Sequence, residues 1–489
     1  MENTYDFEKS IAQAKQVFNE MTIFVKDAGS MEPHQVEEKL MKGLLVLGRH
    51  LLQAFFDEAG RGDVGDEVVV AQDETLEQCR LRDRDYISVF GAVLVTRWYY
   101  WKSGLGGVCP LDGMLNMPER AYSYYLQEMV TLLSVRDTYD ETAMLLKKIY
   151  GLLMSPRSIM DILLDVSKAV EDFRDAQPPP NPLEEKEVLV VSLDGKGVPM
   201  RKEKAAKKKV RLQRGEKRQT KKMSAVAAVY SIERQPRSAQ DVLGENRDEG
   251  ERKPSPRPYA KRVRARLGNK VELMPKLRRE ASLRESGEDT IKVFIGDGER
   301  QIWKLQEKYF ADYIGVLDLY HVMEKLWKYA HCFHPEGSEA AAACVTERLR
   351  MLLEGNVNAC IGRMIEAGES SRLSAAKKKT IGQIAGYFKR NASRMQYDRY
   401  LSMGIPIGSG NVESACKNLV KDRMEGTGMR WSKRGAVAML NVRALHLNGD
   451  LGEYFVYHIA KQKENLYGKQ RYWRRKNAEQ HFKPLQLVA

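Results

Sequence analysis

Two short apolar segments of this chain each end in the same dipeptide, Asp-Gly. "EVLVVSLDGKG" places Asp194 after a run of Val and Leu, and "TIKVFIGDG" places Asp297 after a similar run. Such runs predict strands buried on both faces, as in a parallel sheet. If the two strands are parallel neighbours, both carboxylates lie at the same sheet edge, about 4.8 Å apart across one strand spacing. This feature favours a mixed α/β fold with an acidic site.

The carboxylates at this edge predict a metal site. Two close carboxylates repel each other, and hard divalent Mg²⁺, which prefers oxygen ligands, would relieve that repulsion. Glu413 in "GSGNVESACK" is a third candidate ligand, in the first turn of a predicted helix with Lys417 and Lys421 on its own side. Each Gly after the Asp predicts a sharp turn with room for a phosphate. Two metal ions held there would suit phosphoryl transfer.

A structural interpretation of the same residues stays open. Asp-Gly is a common turn step, and buried strands often end in one. A Glu in the first turn of a helix is favoured by the helix dipole alone.

Charge points to a polyanionic partner. The chain has 489 residues with 80 Lys and Arg against 66 Asp and Glu, a net charge of +14. This surplus favours nucleic acid first and an anionic membrane surface second. We expect no transmembrane helix and no secretory signal. The six cysteines lack C-x-x-C pairs, which indicates reduced thiols and a cytoplasmic location.

The region 1–176 is predicted to be mostly helical and to bind DNA or mediate oligomerisation. Helical spacing runs to Gly60, and β-branched and aromatic residues predict a hairpin near 86–101. Residues 139–173 read as helix, Gly151 turn, helix, with Ser155 as N-cap and Pro156 in the first turn. This pattern fits a DNA-binding helix-turn-helix, and it fits any helical hairpin equally well.

Composition divides the rest of the chain. "QPPPNP" at 177–182 predicts a linker. Further boundaries follow from the patterning: a first catalytic part at 183–336 with a basic, partly flexible insertion at about 201–289, a helical insertion at 337–400, catalytic helices at 401–449, and a helix with a basic tail at 450–489.

Two basic groups are candidate DNA contacts, since Lys and Arg neutralise phosphates. The first lies within residues 201–222 and the second follows Glu413, where Trp431 could stack on a base. The alternatives are a solvated charged loop for the first group and a core position for Trp431. The candidates are Lys207, Lys208, Lys209, Arg211, Lys417, Lys421, Arg423, Arg430, Trp431 and Arg434.

Three segments carry a resemblance to a known family. "IPIGSGNVESACKNLVKDRMEGTGMRWSKRGAVAMLNVRAL" resembles the C-terminal signature of the ISKra family of bacterial insertion-sequence transposases, the group bearing the number four. "FGAVLVTRWYY" and "CPLDGMLNMP" look like its N-terminal region, and the similarity spans about Gly48 to Gly449. The resemblance implies an RNase H-like catalytic domain, with a mixed five-stranded sheet and flanking helices, and an Asp-Asp-Glu triad of Asp194, Asp297 and Glu413.

The resemblance also implies accessory residues. Mutator-like and related transposases carry a D/C-x-x-H element after the second Asp, and "LDLYH" supplies Asp318 and His321. An ordinary histidine satisfied by a neighbour is the alternative for His321. Relatives often hold a zinc-ribbon cysteine cluster, whereas this chain offers only Cys79 and Cys109 there, so we predict no zinc.

The function implied is a DNA transposase that cleaves element ends and joins them to target DNA. Two Mg²⁺ ions, or Mn²⁺ in their place, would serve both steps, and joining two ends favours a homodimer or higher oligomer on double-stranded DNA, in a bacterial cytoplasm at the nucleoid. A structure-selective nuclease on the same fold and a domesticated, non-catalytic DNA-binding protein are the rival hypotheses.

Overall fold

The chain divides into two compact units, which are described separately. The structure is a computed structural model that describes residues 2–70, 74–201, 221–244, 256–268, 270–285, 287, 289–426 and 428–468. One unit comprises Met1–Asp175 and Asp450–Ala489, and the other comprises Ala176–Gly449. Within the described ranges, no helix has the length and apolarity needed to cross a membrane.

The first unit opens with two long helices and continues in shorter ones. Its helices up to the boundary are α1 (Glu2–Asp27), α2 (Pro33–Glu58), α3 (Pro110–Met114), α4 (Tyr124–Ser134), α5 (Tyr139–Tyr150), α6 (Pro156–Val166) and α7 (Val170–Ala176). The helical start predicted from the sequence is confirmed, although α2 ends two residues before Gly60. Gly151 takes the left-handed conformation after α5, and Ser155 caps α6 with Pro156 at its first position, as predicted.

An antiparallel sheet follows α2. Its strands are β1 (Glu67–Val69), β2 (Thr75–Ser88), β3 (Gly91–Lys102) and β4 (Gly106–Val108), in that order. The predicted hairpin is β2–β3, and Gly91 begins its second strand with a φ of 112° that favours glycine. The hairpin is longer than predicted, because charged residues dominate "TLEQCRLRDRD" and hide its first half.

The second unit is built on a mixed five-stranded sheet. Its strands are β5 (Val188–Pro199), β6 (Lys221–Ile232), β7 (Tyr259–Leu267), β8 (Ile291–Gly296) and β9 (Ile314–Leu317), and their spatial order is β7-β6-β5-β8-β9. Strands β7, β6 and β5 pair antiparallel, whereas β5, β8 and β9 run parallel. The buried strands and the parallel component expected from the sequence are therefore present.

Strand β7 corrects the prediction of a partly ordered segment up to residue 289. Its buried apolar residues, Val263, Ala265 and Leu267, alternate with arginines. Arg264 is also buried, and its Nε lies 2.8 Å from Glu280 in the helix that follows. The charges are paired inside the fold, so a composition that indicates disorder in isolation belongs here to an ordered strand.

Helices surround this sheet. They are α8 (Ala239–Leu243), α9 (Met274–Ser282), α10 (Arg300–Tyr309), α11 (Leu319–Ala330), α12 (Glu339–Leu353), α13 (Val357–Ser370), α14 (Ala375–Asn391), α15 (Tyr397–Ser402), α16 (Gly410–Cys416), α17 (Asp422–Met424) and α18 (Lys433–Asn448). A π-helical turn, Lys417–Lys421, joins α16 to α17. The helices expected between 337 and 400 are α12 to α15, and α16 contacts β5 and β6.

Helix α19 (Leu451–Tyr467) returns the chain to the first unit. Tyr467 donates its hydroxyl to the Met117 carbonyl over 2.6 Å, and Tyr454 donates to Val166. These buried aromatic contacts group α19 with the N-terminal helices, whereas the sequence pattern predicted a separate C-terminal helix.

Candidate active site

Asp194 lies where the parallel part of the sheet ends. Strand β5 pairs with β8 from Val188 to Leu193, and Asp194 is the next residue. The strand then continues, paired with β6 as far as Pro199. The turn expected at the first Asp-Gly step is therefore wrong: Gly195 is an extended strand residue, because β6 supplies hydrogen-bond partners beyond the end of β8.

Asp297 occupies the matching position on the neighbouring strand. It follows Gly296, the last residue of β8, and its Oδ1 accepts a hydrogen bond of 2.8 Å from the Glu299 backbone N–H. Burial raises the pKa of Asp297 above its ordinary value, against the Glu299 N–H and His321, which favour the ionised carboxylate. Here the Asp-Gly step does end a strand.

Asp194, Asp297 and His321 form one cluster. Each offers a ligand atom, and these atoms all lie within 4.8 Å of one another. His321 sits in the first turn of α11, directly after β9, the strand that pairs with β8. The expected approach of the two strand-end carboxylates is present, and the sheet order delivers the imidazole to the same edge.

Asp318 holds His321 in place. Its carboxylate is 1% exposed, and its Oδ2 lies 2.6 Å from His321 Nδ1. Oδ1 accepts the Ser409 N–H at 2.8 Å, and Oδ2 accepts the Ser409 hydroxyl at 2.7 Å. The Asp318 N–H donates to the Gly296 carbonyl at 3.0 Å. Asp318 thus joins the end of β8, the start of α11 and the loop before α16.

These contacts set the charges of the pair. The hydrogen bond that His321 donates to Asp318, helped by the charges of Asp318, Asp194 and Asp297 and opposed by burial, raises the pKa of His321 to about 9. Burial alone would raise the pKa of Asp318, but the hydrogen bonds from His321 and Ser409 outweigh it and lower that pKa. At neutral pH the metal-free site therefore holds an imidazolium beside its carboxylates.

Glu413 lies apart from this cluster of three ligand atoms. It is an exposed residue in the first turn of α16. Cys416, one helical turn further on and 3% exposed, lies close to the Asp194 carboxylate. Burial, together with the charge of Asp194, raises the pKa of this thiol. The same helix thus contacts one carboxylate of the cluster through Cys416 and carries Glu413 nearby.

The sequence did not identify three side chains of this site as site residues. Ser409 and Cys416 are two; the third is Tyr387 of α14, whose ring packs on Gly298. Burial and the Asp297 charge raise the pKa of Tyr387. Cys416 and Ser409 both lie within the segment "GSGNVESACK" that contains Glu413, whereas no local pattern points to Tyr387.

The donor set fits a divalent cation. Asp194 and Asp297 supply carboxylate oxygens, which Mg²⁺ and Mn²⁺ prefer. His321 Nδ1 is engaged with Asp318, so Nε2 is the nitrogen left for the cluster, where the protonated ring can donate a hydrogen bond. The positive charge of the imidazolium partly balances the two carboxylates, as a bound cation would.

The expected DNA contacts separate into three groups. Lys417, Lys421, Arg430 and Arg434 are exposed. Arg423 and Trp431 are only 2% and 7% exposed, with the guanidinium 5.2 Å from the indole centroid. Lys207, Lys208, Lys209 and Arg211 lie outside the described residues.

The burial of Trp431 and Arg423 corrects the interpretation of both as surface contacts. Trp431 Nε1 donates to the Met424 carbonyl at 3.0 Å, and its backbone N–H donates to Pro199 at 2.9 Å, beside the end of β5. The indole fills a structural position, which was the alternative left open for it.

No protein-family model matches the chain, and no curated protein sequence matches it. Among solved structures, the chain is similar to the Drosophila P element transposase strand transfer complex. The sequence identity is 13% and the TM-score 0.25, with 71% of this chain and 82% of that chain covered. A similarity of this size defines neither a family nor a function, and the ISKra resemblance remains one of motifs.

Proposed function

We propose that this chain is a DNA transposase of the Asp-Asp-Glu class, with an RNase H-like catalytic unit. The observation that carries the proposal is the approach of Asp194 and Asp297 at the ends of adjacent parallel strands, with ligand atoms within 4.8 Å of each other and of His321. The strand order β7-β6-β5-β8-β9, three strands antiparallel and two added in parallel, supports the same assignment.

Asp194 and Asp297 would hold Mg²⁺, with Mn²⁺ as a substitute. Bound cations of this kind lower the pKa of water and neutralise charge that develops on a transferred phosphoryl group. The strands determine where these carboxylates lie, because β5 and β8 fix both side chains at one sheet edge. Asp297 is further fixed by the Glu299 N–H, so little side-chain freedom remains to be lost when a cation and a DNA strand bind.

Glu413 would complete the carboxylate set for a second cation. Helix α16 packs on β5 and β6, and its Cys416 lies close to Asp194. Glu413 lies three residues before Cys416, on the same side of the helix. The π-helical turn that follows is of a type found frequently at functional sites.

His321 would bind a phosphate oxygen near the reacting bond. Asp318 orients the ring through Nδ1 and favours its protonated form, in which Nε2–H is a charged hydrogen-bond donor. The basic surplus of +14 would bring DNA to the site, with Lys417 and Lys421 exposed on the turn after α16.

The test is a cleavage and joining reaction with the full chain, duplex DNA carrying the ends of the element, a target plasmid and Mg²⁺. Asp194→Asn, Asp297→Asn and Glu413→Gln are each expected to lose both reactions while still binding DNA. Glu336→Gln, at an exposed position, is the matched control and keeps both.

The rival functions give different results. Cation-dependent cleavage without joining would identify a nuclease. Binding of the element ends with no reaction at any cation concentration would identify a non-catalytic DNA-binding protein. Wild-type activity in Asp194→Asn would remove the carboxylate site from the chemistry altogether.

A further inference from the structure

The α1–α2 hairpin buries one seam between its two helices. The two helices run antiparallel: Ser10 donates to Asp57 over 2.6 Å near one end, and the Met21 side chain lies against Gly43 nearer the other. The α2 residues of this seam recur at spacings of four and three, and they are Val36, Leu40, Gly43, Leu47, His50 and Ala54. This is the heptad spacing of packed helices.

Each helix carries a second row of uncharged residues outside that seam. In α1 the row repeats every seven residues, and in α2 it repeats at three and four. The two rows are Ile11, Phe18 and Val25 in α1, and Met41, Leu44, Gly48, Leu51 and Phe55 in α2. Phe18 is 59% exposed and Leu44 is 52% exposed, which is unusual for residues in a regular heptad pattern.

Both rows lie on one side of the hairpin. At 100° per residue, each row is displaced by roughly a quarter turn from the buried seam, and in antiparallel helices these displacements point to the same side. The antiparallel pairing also sets Phe18 level with Gly48 and Val25 level with Met41. Phe90, from the β2–β3 turn, packs against Gly48 and extends the surface. We call these two rows together the hairpin face.

We infer that the hairpin face binds the same face of a second copy of this chain, forming an antiparallel four-helix bundle. The two rows, from Ile11 to Val25 and from Met41 to Phe55, are each about 21 Å long and together about 20 Å wide, which gives roughly 400 Å² per copy. The two copies together would bury roughly 800 Å², the size of a weak, transient interface. A twofold axis would bring the same heptad-patterned surface of both copies into contact.

The chemistry of the face argues for this occupant. None of its eight residues is charged, so it offers DNA no phosphate contacts. In the described part of the chain nothing covers the exposed side chains of Phe18, Leu44 and Leu51. The heptad spacing matches a helical partner, and a second copy presents that spacing in the required length.

The test is sedimentation of the purified full chain over a wide range of concentrations. The wild type is expected to form a dimer, and the double variant Leu44→Glu/Leu51→Glu a monomer, because four carboxylates would be buried in each bundle. Leu153→Glu is the matched control: the same substitution at a side chain that is 83% exposed and lies on the α5–α6 turn. It should stay dimeric.

Circular dichroism checks that the variants fold, and Phe18→Glu alone, on the other helix, should also give a monomer if the double variant is unstable. A wild type that stays monomeric overturns the inference and leaves the face to a different protein. A dimer that persists in both hairpin variants, or is lost equally in Leu153→Glu, also overturns it. Asp194→Asn should remain dimeric, since the inference is independent of the catalytic proposal.

Discussion

Asp318 combines a buried position with hydrogen bonds from His321, from Ser409 and from the backbone of Tyr320. Ser409 lies 91 residues away along the chain. A buried carboxylate with this many partners is costly to replace, since each partner left without an acceptor costs about 1–3 kcal/mol. The residue therefore supports the site through its neighbours.

Replacing Asp318 by Asn should lower the free energy of unfolding by about 2–4 kcal/mol, because the amide loses the charge and one acceptor oxygen. Urea denaturation measures this loss. Asp194→Asn is the matched comparison and should cost less, since it removes the repulsion with Asp297 together with the attraction to His321. Equal destabilisation by both changes would contradict the special role of Asp318.

His321 gives the metal-free protein a pH dependence. Its pKa rises from 6.5 to about 9 on folding, so its stabilising contribution is complete below pH 6.5 and is lost as the pH rises through about 9. The loss is at most about 3 kcal/mol. Urea titrations with a chelator should show this decline for the wild type and a flatter profile for His321→Gln. An equal decline in both proteins would assign it to another group.

At the scale of elements, the site depends on a contact between α14 and the turn after β8. A methyl group built on Gly298 would overlap the Tyr387 ring. Gly298→Ala should therefore displace the ring from the Asp297 turn and destabilise the fold by about 1–3 kcal/mol, as overpacking does.

A double-mutant cycle tests this contact. Tyr387→Ala should destabilise the Gly298→Ala protein less than it destabilises the wild type, because it removes the overlap between the ring and the added methyl group. Gly382→Ala, in the same helix with open space around it, should be neutral or stabilise by up to about 1 kcal/mol. Additive effects of the two substitutions, measured by thermal unfolding, would contradict direct packing.

The elements also show what the sequence could predict. Strands β5 and β8 are recognisable by their continuous apolar runs, so the proximity of Asp194 and Asp297 could be predicted from local patterning. Strand β7 was missed because Arg264 looks exposed until its partner Glu280 is known. Tyr387 was missed because the contact joins separate elements. Local periodicity contains no information about such pairings.

At the scale of the whole molecule, the surplus of positive charge should dominate DNA affinity. Binding should weaken steeply with salt, because each neutralised phosphate releases counterions. The double variant Lys417→Gln/Lys421→Gln should reduce the slope of log K against log salt by about 2. Lys377→Gln/Lys379→Gln, also exposed but on α14, is the control and should leave the slope unchanged. Equal slopes for all three proteins would exclude Lys417 and Lys421 as phosphate contacts.

Strands β5 and β6 continue past the carboxylate as an arm, which β7 joins along β6 as far as the pairing of Ser224 with Leu267. Pro199 lies five residues beyond Asp194 and pairs with Lys221, so the arm reaches about 17 Å further at 3.4 Å per residue. The exposed basic residues Arg201, Lys221 and Lys222 lie at the tip of this arm. On a duplex that rises 3.4 Å per step, that distance is about five base pairs, or half a helical turn. Footprinting of a bound complex should then find the protection due to these residues on the opposite side of the double helix from the scissile phosphate.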